Sequence, residues 1–221
     1  MARQQERARR TRAAIIRSAA VEFGKSGYAA ASLNRILEGS RATKGAMYFH
    51  FDSKEELARA VLETAVERYR STVERWLGRT DLSPLDVLHG MFDEMALRLE
   101  HDIIVQAEYR LIIEPDFYRD VQTGGGQILG RAAKTLAVRA VEQGQLRADA
   151  DPDRFGRTIA AALAGQRYMV DLLGGGLDLR SRFEEALEVV VEAMATPEWD
   201  AKFRAHGWRA HARLEELGLG S

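Results

Sequence analysis

Apolar residues recur along most of this chain with the spacing of helices that bury one face. They lie three or four positions apart in five segments, and no segment alternates between apolar and polar residues as a half-buried strand does. The five stripes are Ile15, Ala19 and Phe23; Leu57, Val61, Ala65 and Tyr69; Leu88, Phe92, Met95 and Leu99; Phe155, Ile159, Leu163, Gln166 and Val170; and Phe183, Leu187, Val190 and Met194. The pattern predicts an all-α fold.

Proline and glycine mark the expected helix boundaries. Ser83-Pro84 and Asp151-Pro152 each place a capping residue before a proline at the first helical position. Pro115 and Pro197 each follow an apolar stripe, as a proline just past a helix end does. Further helix ends or linkers are predicted at Gly27, Gly144 and Gly174-Gly175-Gly176.

Residues 8–52 contain three predicted helices in close succession. The first runs from about Arg10 to Lys25, and a second, capped by Ser32, follows it. A tight turn at residues 39–42 then leads to a third helix that begins at Thr43. Two short helices joined by such a turn, after a supporting helix, form a helix-turn-helix.

The charge of the chain is unevenly distributed. The 32 basic and 33 acidic side chains leave a net charge of −1, but the first fifty residues carry ten basic and three acidic ones. That segment is therefore at +7 and the remainder at −8, an asymmetry that points to nucleic acid or to a membrane surface. No apolar run is long enough to span a membrane and no secretory signal is present, so we expect a cytoplasmic protein.

The third helix carries the side chains suited to DNA. In a helix-turn-helix its first residues face base edges in the major groove, where Lys44 can reach guanine acceptors and Gly45 allows close approach. Tyr48 and His50 can bond phosphate oxygens, whereas Phe49 and Phe51 are expected in the core. The predicted DNA contacts are Arg9, Arg10, Ser32, Arg41, Thr43, Lys44, Gly45, Tyr48, His50 and Lys54, the last within a capping box, Ser53-Lys54-Glu55-Glu56.

These residues also carry a resemblance to a known family. Residues 43–51, Thr-Lys-Gly-Ala-Met-Tyr-Phe-His-Phe, with 53–57, Ser-Lys-Glu-Glu-Leu, resemble the recognition-helix signature of TetR-type transcriptional repressors. Residues 4–14, followed by Phe23, Gly27 and Tyr28, are also similar to the first helix of that family, and the resemblance covers about residues 5–65. It implies a homodimeric repressor that a small-molecule effector releases from a palindromic operator in double-stranded DNA.

A weaker resemblance extends into the C-terminal part. Ile104-Val105-Gln106, Arg110-Leu111 and the stretch 144–165 are similar to the γ-butyrolactone autoregulator receptors of actinobacteria. The chain departs from the family pattern twice: Ser40-Arg41-Ala42 stands where members usually carry Ala-Gly-Val, and residues 117–130 lack the pocket tryptophan typical of lactone receptors. A γ-butyrolactone-like signal is therefore one candidate effector among others.

The chain divides on this basis into three predicted parts: a helix-turn-helix domain at 1–52, a connecting helix at 53–65, and a ligand-binding and dimerisation domain at 66–221. Apolar helix faces with a few polar groups predict the ligand site. Its expected residues are Met91, Met95, Gln106, Tyr109, Ile113, Phe117, Gln166 and Met169. The expected dimer interface comprises Ala162, Leu187, Val190, Val191 and Met194.

Other classes of function receive less support. The chain has no cysteine, which excludes disulfides and thiolate metal sites. Asp86 and His89 have the spacing of one half of a di-metal motif but lack the partners that such a site needs, so we expect no metal, no cofactor and no enzymatic activity. Two alternatives stay open: a constitutive DNA-binding regulator without a ligand, and a helical adaptor whose basic arm binds anionic lipid or an acidic protein.

Overall fold

The computed structural model describes residues 2–114, 117, 124–172 and 178–219, and within these ranges the chain forms ten helices. They are α1 (Ala2–Ala30), α2 (Leu33–Ser40), α3 (Lys44–His50), α4 (Lys54–Leu77), α5 (Pro84–His101), α6 (Ile103–Ile112), α7 (Gly125–Glu142), α8 (Pro152–Leu172), α9 (Leu179–Glu192) and α10 (Pro197–His206). The described ranges contain no strand, only the single antiparallel bridge between Leu146 and Ala195. The predicted all-α class is confirmed.

The helix boundaries follow the predicted capping residues with a few differences. α1 begins at Ala2 instead of near Arg10, and its helical backbone is interrupted at Gly27, where φ is 73°. Pro197 begins α10 after the cap Thr196, instead of only following a helix. The predicted boundaries at Pro115 and at Gly174-Gly175-Gly176 lie outside the described residues.

The chain forms two compact units that are not continuous in sequence. Unit 1 comprises Met1–Arg68 and His101–Gly124, and unit 2 comprises Tyr69–Glu100 and Gly125–Ser221. In unit 1, α1 packs against α2 and α6, and its stripe of Ile15, Ala19 and Phe23 is fully buried. The functional division at residues 52 and 65 stays a prediction, because packing alone does not assign function to either part.

Gly27 joins α1 to the end of α6 within unit 1. Its positive φ is one that residues with a Cβ rarely adopt, and a Cβ there would lie 2.5 Å from Glu114 Oε1. The same oxygen accepts a hydrogen bond of 2.7 Å from the Tyr28 N–H. The predicted helix end at Gly27 is thus also the place where the Glu114 carboxylate binds the α1 backbone.

Unit 2 is built around α5, whose residues 84–99 are all buried. Among them is Glu94, which accepts hydrogen bonds from Thr72, Arg75, Trp76 and Arg98 at 2.7–2.8 Å. Burial alone would raise the pKa of Glu94, but these hydrogen bonds and the Arg75 charge together lower it. Glu94 therefore stays ionised and ties the end of α4 to α5, as a buried charge requires.

The C-terminal segment 208–212 has no helical structure and lies along another face of α5. Its residues alternate between buried (Trp208, Ala210, Ala212) and exposed side chains. Polar side chains of α5 bind its backbone: Asp86 accepts from the Arg209 N–H at 3.0 Å, His89 Nδ1 donates to the Ala210 carbonyl at 2.7 Å, and Asp93 accepts from the Ala212 N–H at 2.7 Å. We call residues 208–212 the C-terminal strap.

The strap accounts for the Asp86 and His89 pair that the sequence singled out. The His89 ring stacks on Trp208 with ring centroids 4.6 Å apart. Burial lowers the pKa of His89, although the Ala210 carbonyl and the Asp93 and Glu184 charges oppose this shift. The neutral imidazole thus serves as a hydrogen-bond donor to the strap.

Candidate nucleic-acid interface

The turn between α2 and α3 is closed by backbone hydrogen bonds. The N–H groups of Arg41 and Ala42 donate to the carbonyls of Glu38 and Leu37, both at 3.2 Å. Arg41 has φ 54° and ψ 29°, a left-handed conformation in which a Cβ crowds the backbone. It is the one non-glycine with positive φ in the part of the chain that the structure describes. The turn therefore contains a strained arginine at a position where TetR-type repressors, which the sequence resembles, usually have glycine.

Thr43 caps α3 as the sequence predicts. Its Oγ1 accepts a hydrogen bond of 3.1 Å from the Ala46 N–H. This bond satisfies one of the N–H groups that have no partner inside a helix of seven residues. The first turn of α3 is thereby fixed, so the side chains that follow Thr43 project from an ordered backbone.

The faces of α3 separate sharply into buried and exposed. Met47 and Phe51, the residue directly after α3, are each 1% exposed. Phe51 also lies under the Arg12 guanidinium, 5.1 Å from the ring centroid. Lys44, Gly45, Tyr48 and Phe49 form the opposite, exposed face. We call these four residues the α3 outer face.

The expectation that Phe49 belongs to the core is wrong. Its side chain is 79% exposed, and it is in contact edge-on with His50 at a centroid distance of 5.0 Å. Successive helical residues are about 100° apart, so a residue midway between two buried ones that are four apart points to the opposite side. The spacing of Met47 and Phe51 was the sequence signal that could have placed Phe49 outside.

The three predicted arginine contacts are exposed. Arg9, Arg10 and Arg41 are all at the surface of unit 1, and the Arg10 Nε lies 3.0 Å from Glu6 Oε1. An exposed pair of this kind holds its partners weakly, so Arg10 can exchange Glu6 for a phosphate. The positive charge of the N-terminal segment is therefore accessible.

Three other predicted contacts already have partners inside unit 1. The Ser32 N–H donates to Glu22 Oε1 at 2.9 Å, and the Ser32 side chain makes no capping bond to α2. Lys54 Nζ donates to the carbonyls of Ala29 and Ala31 at 3.2 and 3.1 Å. His50 is half-buried beside Phe51. Their contacts with DNA stay predictions, and Lys54 evidently stabilises the end of α1.

The capping box at the start of α4 forms with a shift of one residue. The Glu56 N–H donates to Ser53 Oγ at 3.0 Å, as predicted, while the Glu56 carboxylate accepts from the Asp52 N–H at 2.6 Å. The start of α4 is thus fixed by side-chain bonds, while the end of α3 is closed by a backbone bond from the Phe51 N–H to the Met47 carbonyl.

The eight predicted ligand residues are distributed over both units. Met91 and Met95 are buried on α5, whereas Gln166 is half-buried and Met169 exposed on α8. Gln106 and Tyr109 are half-buried and Ile113 is exposed, all three in unit 1. Phe117 is fully buried there, edge-on to Tyr28 with the ring centroids 4.9 Å apart. Their role as a ligand site stays a prediction.

Two open surface cavities of unit 2 involve none of these eight residues. One, of about 480 Å³, lies beside α10 and includes Trp199, Phe203 and Arg209. The other, of about 360 Å³, lies between α7 and α8 and includes Arg131 and Arg157.

The predicted dimer residues divide between the inside and the surface of the protomer. Leu187 and Val191 are buried, while Ala162, Val190 and Met194 are partly accessible. Sequence reasoning did not single out the neighbouring apolar side chains that are most exposed on α8 and α9. These are Tyr168 at 56%, Leu172 at 63% and Val189 at 64%.

Comparison with known proteins identifies the family. Residues 15–61 match the family described as "Bacterial regulatory proteins, tetR family". The A-factor receptor protein of Streptomyces griseus is 30% identical over 203 residues, which cover 92% of this chain and 70% of that protein. The chain belongs to the tetR family of bacterial regulatory proteins.

Solved structures of tetR-family proteins agree with this assignment. CprB from Streptomyces coelicolor A3(2) is 28% identical, with a TM-score of 0.72 over 90% of this chain and 95% of CprB. A structure of CprB in complex with its biological operator sequence gives a TM-score of 0.69 at 27% identity, with the same coverage. A γ-butyrolactone receptor is 26% identical, with a TM-score of 0.62 over 85% of this chain and 99% of that one.

The tetR-family match contains most of the predicted DNA contacts. Residues 15–61 include every one of them from Ser32 to Lys54, whereas Arg9 and Arg10 precede the match.

Within the described residues, no helix is long and apolar enough to cross a membrane, and no group of three or more potential ligands is positioned to hold a metal ion. The transcriptional regulators to which this tetR-family chain is similar are not enzymes.

Proposed function

We propose that this tetR-family protein is a homodimeric transcriptional repressor. It binds a palindromic DNA operator through α3, and a small-molecule effector releases it from that operator. The observation that carries the proposal is the α3 outer face. A capped helix presents a cation, a bare glycine and two aromatic rings to solvent, while Met47 and Phe51 anchor its other side. Such a helix fits a major groove about 12 Å wide.

The surrounding charge supports DNA as the partner. The excess of basic side chains in the first fifty residues provides the sequence-independent attraction to phosphates on which base readout builds. Lys44 can donate to guanine O6 or N7, and the Tyr48 hydroxyl, on a side chain 45% exposed, can donate to a phosphate oxygen. The relative CprB has a structure in complex with its biological operator sequence, which agrees with this partner.

A second copy of the chain is the expected partner of α8 and α9. Tyr168, Leu172 and Val189 expose large apolar side chains there, and exposed apolar surface concentrated on neighbouring elements is typical of interaction sites. A two-fold dimer presents two α3 helices, so its operator would be a palindrome with half-sites about one helical turn apart. Burial of these side chains would give the dimer its apolar contact.

An effector would act through its preference for one conformation. A ligand can shift the equilibrium between a DNA-binding and a released form only by its difference in affinity for the two. The similarity to proteins named A-factor receptor and γ-butyrolactone receptor favours a lactone-like signal molecule. The residues predicted for its binding are Met91, Met95, Gln166 and Met169 in unit 2, and Gln106, Tyr109, Ile113 and Phe117 in unit 1.

The DNA-binding proposal is tested with a duplex enriched from a random DNA pool by the full-length chain. We expect Lys44→Ala to lower affinity at least tenfold, since a specific base contact contributes about 1–3 kcal/mol in each of the two half-sites. Tyr48→Phe removes one phosphate hydrogen bond and should lower affinity several-fold. Electrophoretic mobility shift gives both affinities, and circular dichroism verifies that the helices are intact.

Lys202→Ala is the matched control, because Lys202 is an exposed lysine on α10, outside the helix-turn-helix. This variant should bind like the unaltered chain. Unchanged binding by both Lys44→Ala and Tyr48→Phe would contradict the assignment of α3 as the DNA-binding helix.

A further inference from the structure

We propose that Phe49 reads the C5-methyl group of a thymine in each half-site of the operator. The inference rests on the proposed function, because it takes α3 as the helix in the major groove. It goes further by assigning a base to a residue that sequence reasoning had assigned to the core. The juxtaposition that carries it is an almost fully exposed phenyl ring beside a glycine on the α3 outer face.

The exposure of Phe49 has no explanation within unit 1. With 79% of its surface exposed, it is the most exposed of the large hydrophobic residues described. Its one ring contact among the described residues is the edge-on approach to His50 at 5.0 Å. Met47 and Phe51 already fill the buried side of α3, so the phenyl group adds nothing to the core of the free protein.

The α3 outer face consists of a polar row and an apolar row. Residues four apart lie above one another on a helix, so Lys44 and Tyr48 form one row and Gly45 and Phe49 form the other. The Lys44 amine lies 6.0 Å from the centroid of the Tyr48 ring, which keeps the cation and the hydroxyl on the same row. Hydrogen-bond donors are thus confined to one side of the outer face.

Gly45 leaves open space in the apolar row. A Cβ built there would meet no atom within 4 Å, so internal packing does not require a glycine at this position. Gly45 and Phe49 are neighbours in the apolar row, and the Phe49 ring lies more than 4 Å from the position of a Gly45 Cβ, so the backbone at Gly45 stays bare beside the ring. A base edge can approach the backbone at Gly45 and meet the phenyl group at the same time.

The chemistry of the major groove selects the thymine methyl as the partner. Among the four bases, only thymine presents an apolar group in that groove, and contact with phenylalanine is one way in which proteins recognise it. A phenyl ring cannot donate a hydrogen bond to a phosphate, which separates Phe49 from Tyr48. Transfer of the methyl group out of water against the ring stabilises the complex only when thymine is the base.

Replacement of thymine by uracil removes the methyl group and keeps every hydrogen-bonding group of the base. A palindromic duplex is first enriched from a random DNA pool with the full-length chain. At each thymine position in turn, the two symmetry-related thymines, one in each half-site, are then replaced by uracil. One buried methyl is equivalent to about 0.8 kcal/mol, or about fourfold in affinity, and two half-sites together give about fifteenfold. We expect this loss at one symmetric position, measured by fluorescence anisotropy.

Phe49→Ala should abolish this methyl dependence. The variant should bind the thymine duplex more weakly than the unaltered chain does, and the change to uracil at that position should alter its affinity less than twofold. Because the ring is exposed, folding should survive, and circular dichroism together with thermal unfolding verifies that it does. Val138→Ala removes an exposed apolar side chain from α7 in unit 2 and should retain the full methyl dependence.

The outcomes distinguish this inference from the proposed function. If a palindrome is enriched but its half-site contains no thymine, or no thymine methyl affects affinity, the Phe49 assignment fails while the DNA-binding function stands. The same holds if Phe49→Ala still responds to the methyl group. If no sequence is enriched at all, both the proposed function and the Phe49 assignment are overturned.

Discussion

Arg41 is the residue at which local strain and proposed function coincide. A left-handed conformation destabilises a residue with a Cβ by about 1–2 kcal/mol relative to glycine, and Arg41 adopts it with φ 54°. The TetR-type repressors that the sequence resembles usually have glycine in this turn. Retention of a strained, exposed arginine next to α3 is explained if its guanidinium contacts a phosphate, since strain of this kind is concentrated at functional sites.

We therefore predict that Arg41→Gly gains stability and loses affinity for DNA. Relief of the strain, reduced by the greater entropy of glycine in the unfolded chain, should raise the free energy of unfolding by about 0.5–1 kcal/mol. Loss of one phosphate contact in each protomer of the dimer should lower affinity and make the salt dependence shallower by about two units of slope. Urea unfolding and DNA titration measure the two effects.

Arg41→Ala separates the two causes. Alanine keeps the Cβ that crowds the turn but removes the charge, so this variant should lose affinity to the same degree without the gain in stability. If Arg41→Gly binds DNA as tightly as the unaltered chain does, Arg41 makes no phosphate contact.

Residue-level prediction from the sequence succeeded where interactions are local. The Thr43 cap and the bond from the Glu56 N–H to Ser53 involve residues three positions apart, so residue type and spacing suffice to foresee them. The predicted burial of Phe51 is confirmed, whereas the burial predicted for Phe49 rested only on its aromatic character and is wrong. The relation of Phe49 to Met47 and Phe51 decided its exposure, and this relation depends on which face of α3 meets the core.

At the scale of elements, the C-terminal strap could not be predicted from the sequence. His89 and Ala210 are 121 positions apart, and no local pattern indicates that three polar side chains of α5 bind the backbone of a distant non-helical segment. Asp86 and His89 were noticed only for their spacing, which suggested half of a metal motif. Their partners turn out to be the backbone groups of Arg209 and Ala210.

We predict that Asp93→Ala releases the strap. Asp93 accepts hydrogen bonds from the Ala212 N–H at 2.7 Å and from the Arg180 guanidinium at 2.6 Å, and removal of its carboxylate leaves both donors without that partner. Because Arg180 is partly exposed, the loss of its ion pair and of the hydrogen bond to Ala212 should lower the free energy of unfolding by about 1.5–3 kcal/mol. Limited trypsin digestion should then cleave faster after Arg209 and Arg213.

Asp149→Ala is the control for this digestion, since Asp149 is an exposed aspartate outside the strap. It should be cleaved at the rate of the unaltered chain. Equal cleavage rates for Asp93→Ala and Asp149→Ala would mean that Asp93 does not hold the strap.

The apolar stripes of α8 and α9 illustrate how far periodicity extends. Phe155, Ile159 and Leu163 are buried as their spacing predicts, but Gln166 and Val170, which continue the stripe on α8, are only half-buried. Periodicity finds the apolar face of a helix without telling what covers it. A second copy of the chain would cover the remaining part under the proposed function.

For the molecule as a whole, the net charge of −1 is the sum of two opposite segments. The first fifty residues, at +7, contain α1, α2 and α3, while the remainder is at −8. The class of fold and the helix-turn-helix followed from the sequence because both rest on local periodicity and capping. The sequence did not reveal that residues 101–124 belong to the same compact unit as residues 1–68. That assignment arises from packing of α6 on α1, two helices that are distant in the sequence.

The most direct test of the central claim, that α3 and its basic surroundings bind specific DNA, is a salt titration on two duplexes. The full-length chain is titrated against the enriched palindrome and against a scrambled duplex of the same composition. Six to ten phosphate contacts predict that log affinity for the palindrome falls with log salt at a slope of roughly −5 to −9. Preference for the palindrome should reach at least about 10³-fold. Equal affinity for the two duplexes, or an affinity independent of salt, would contradict the claim.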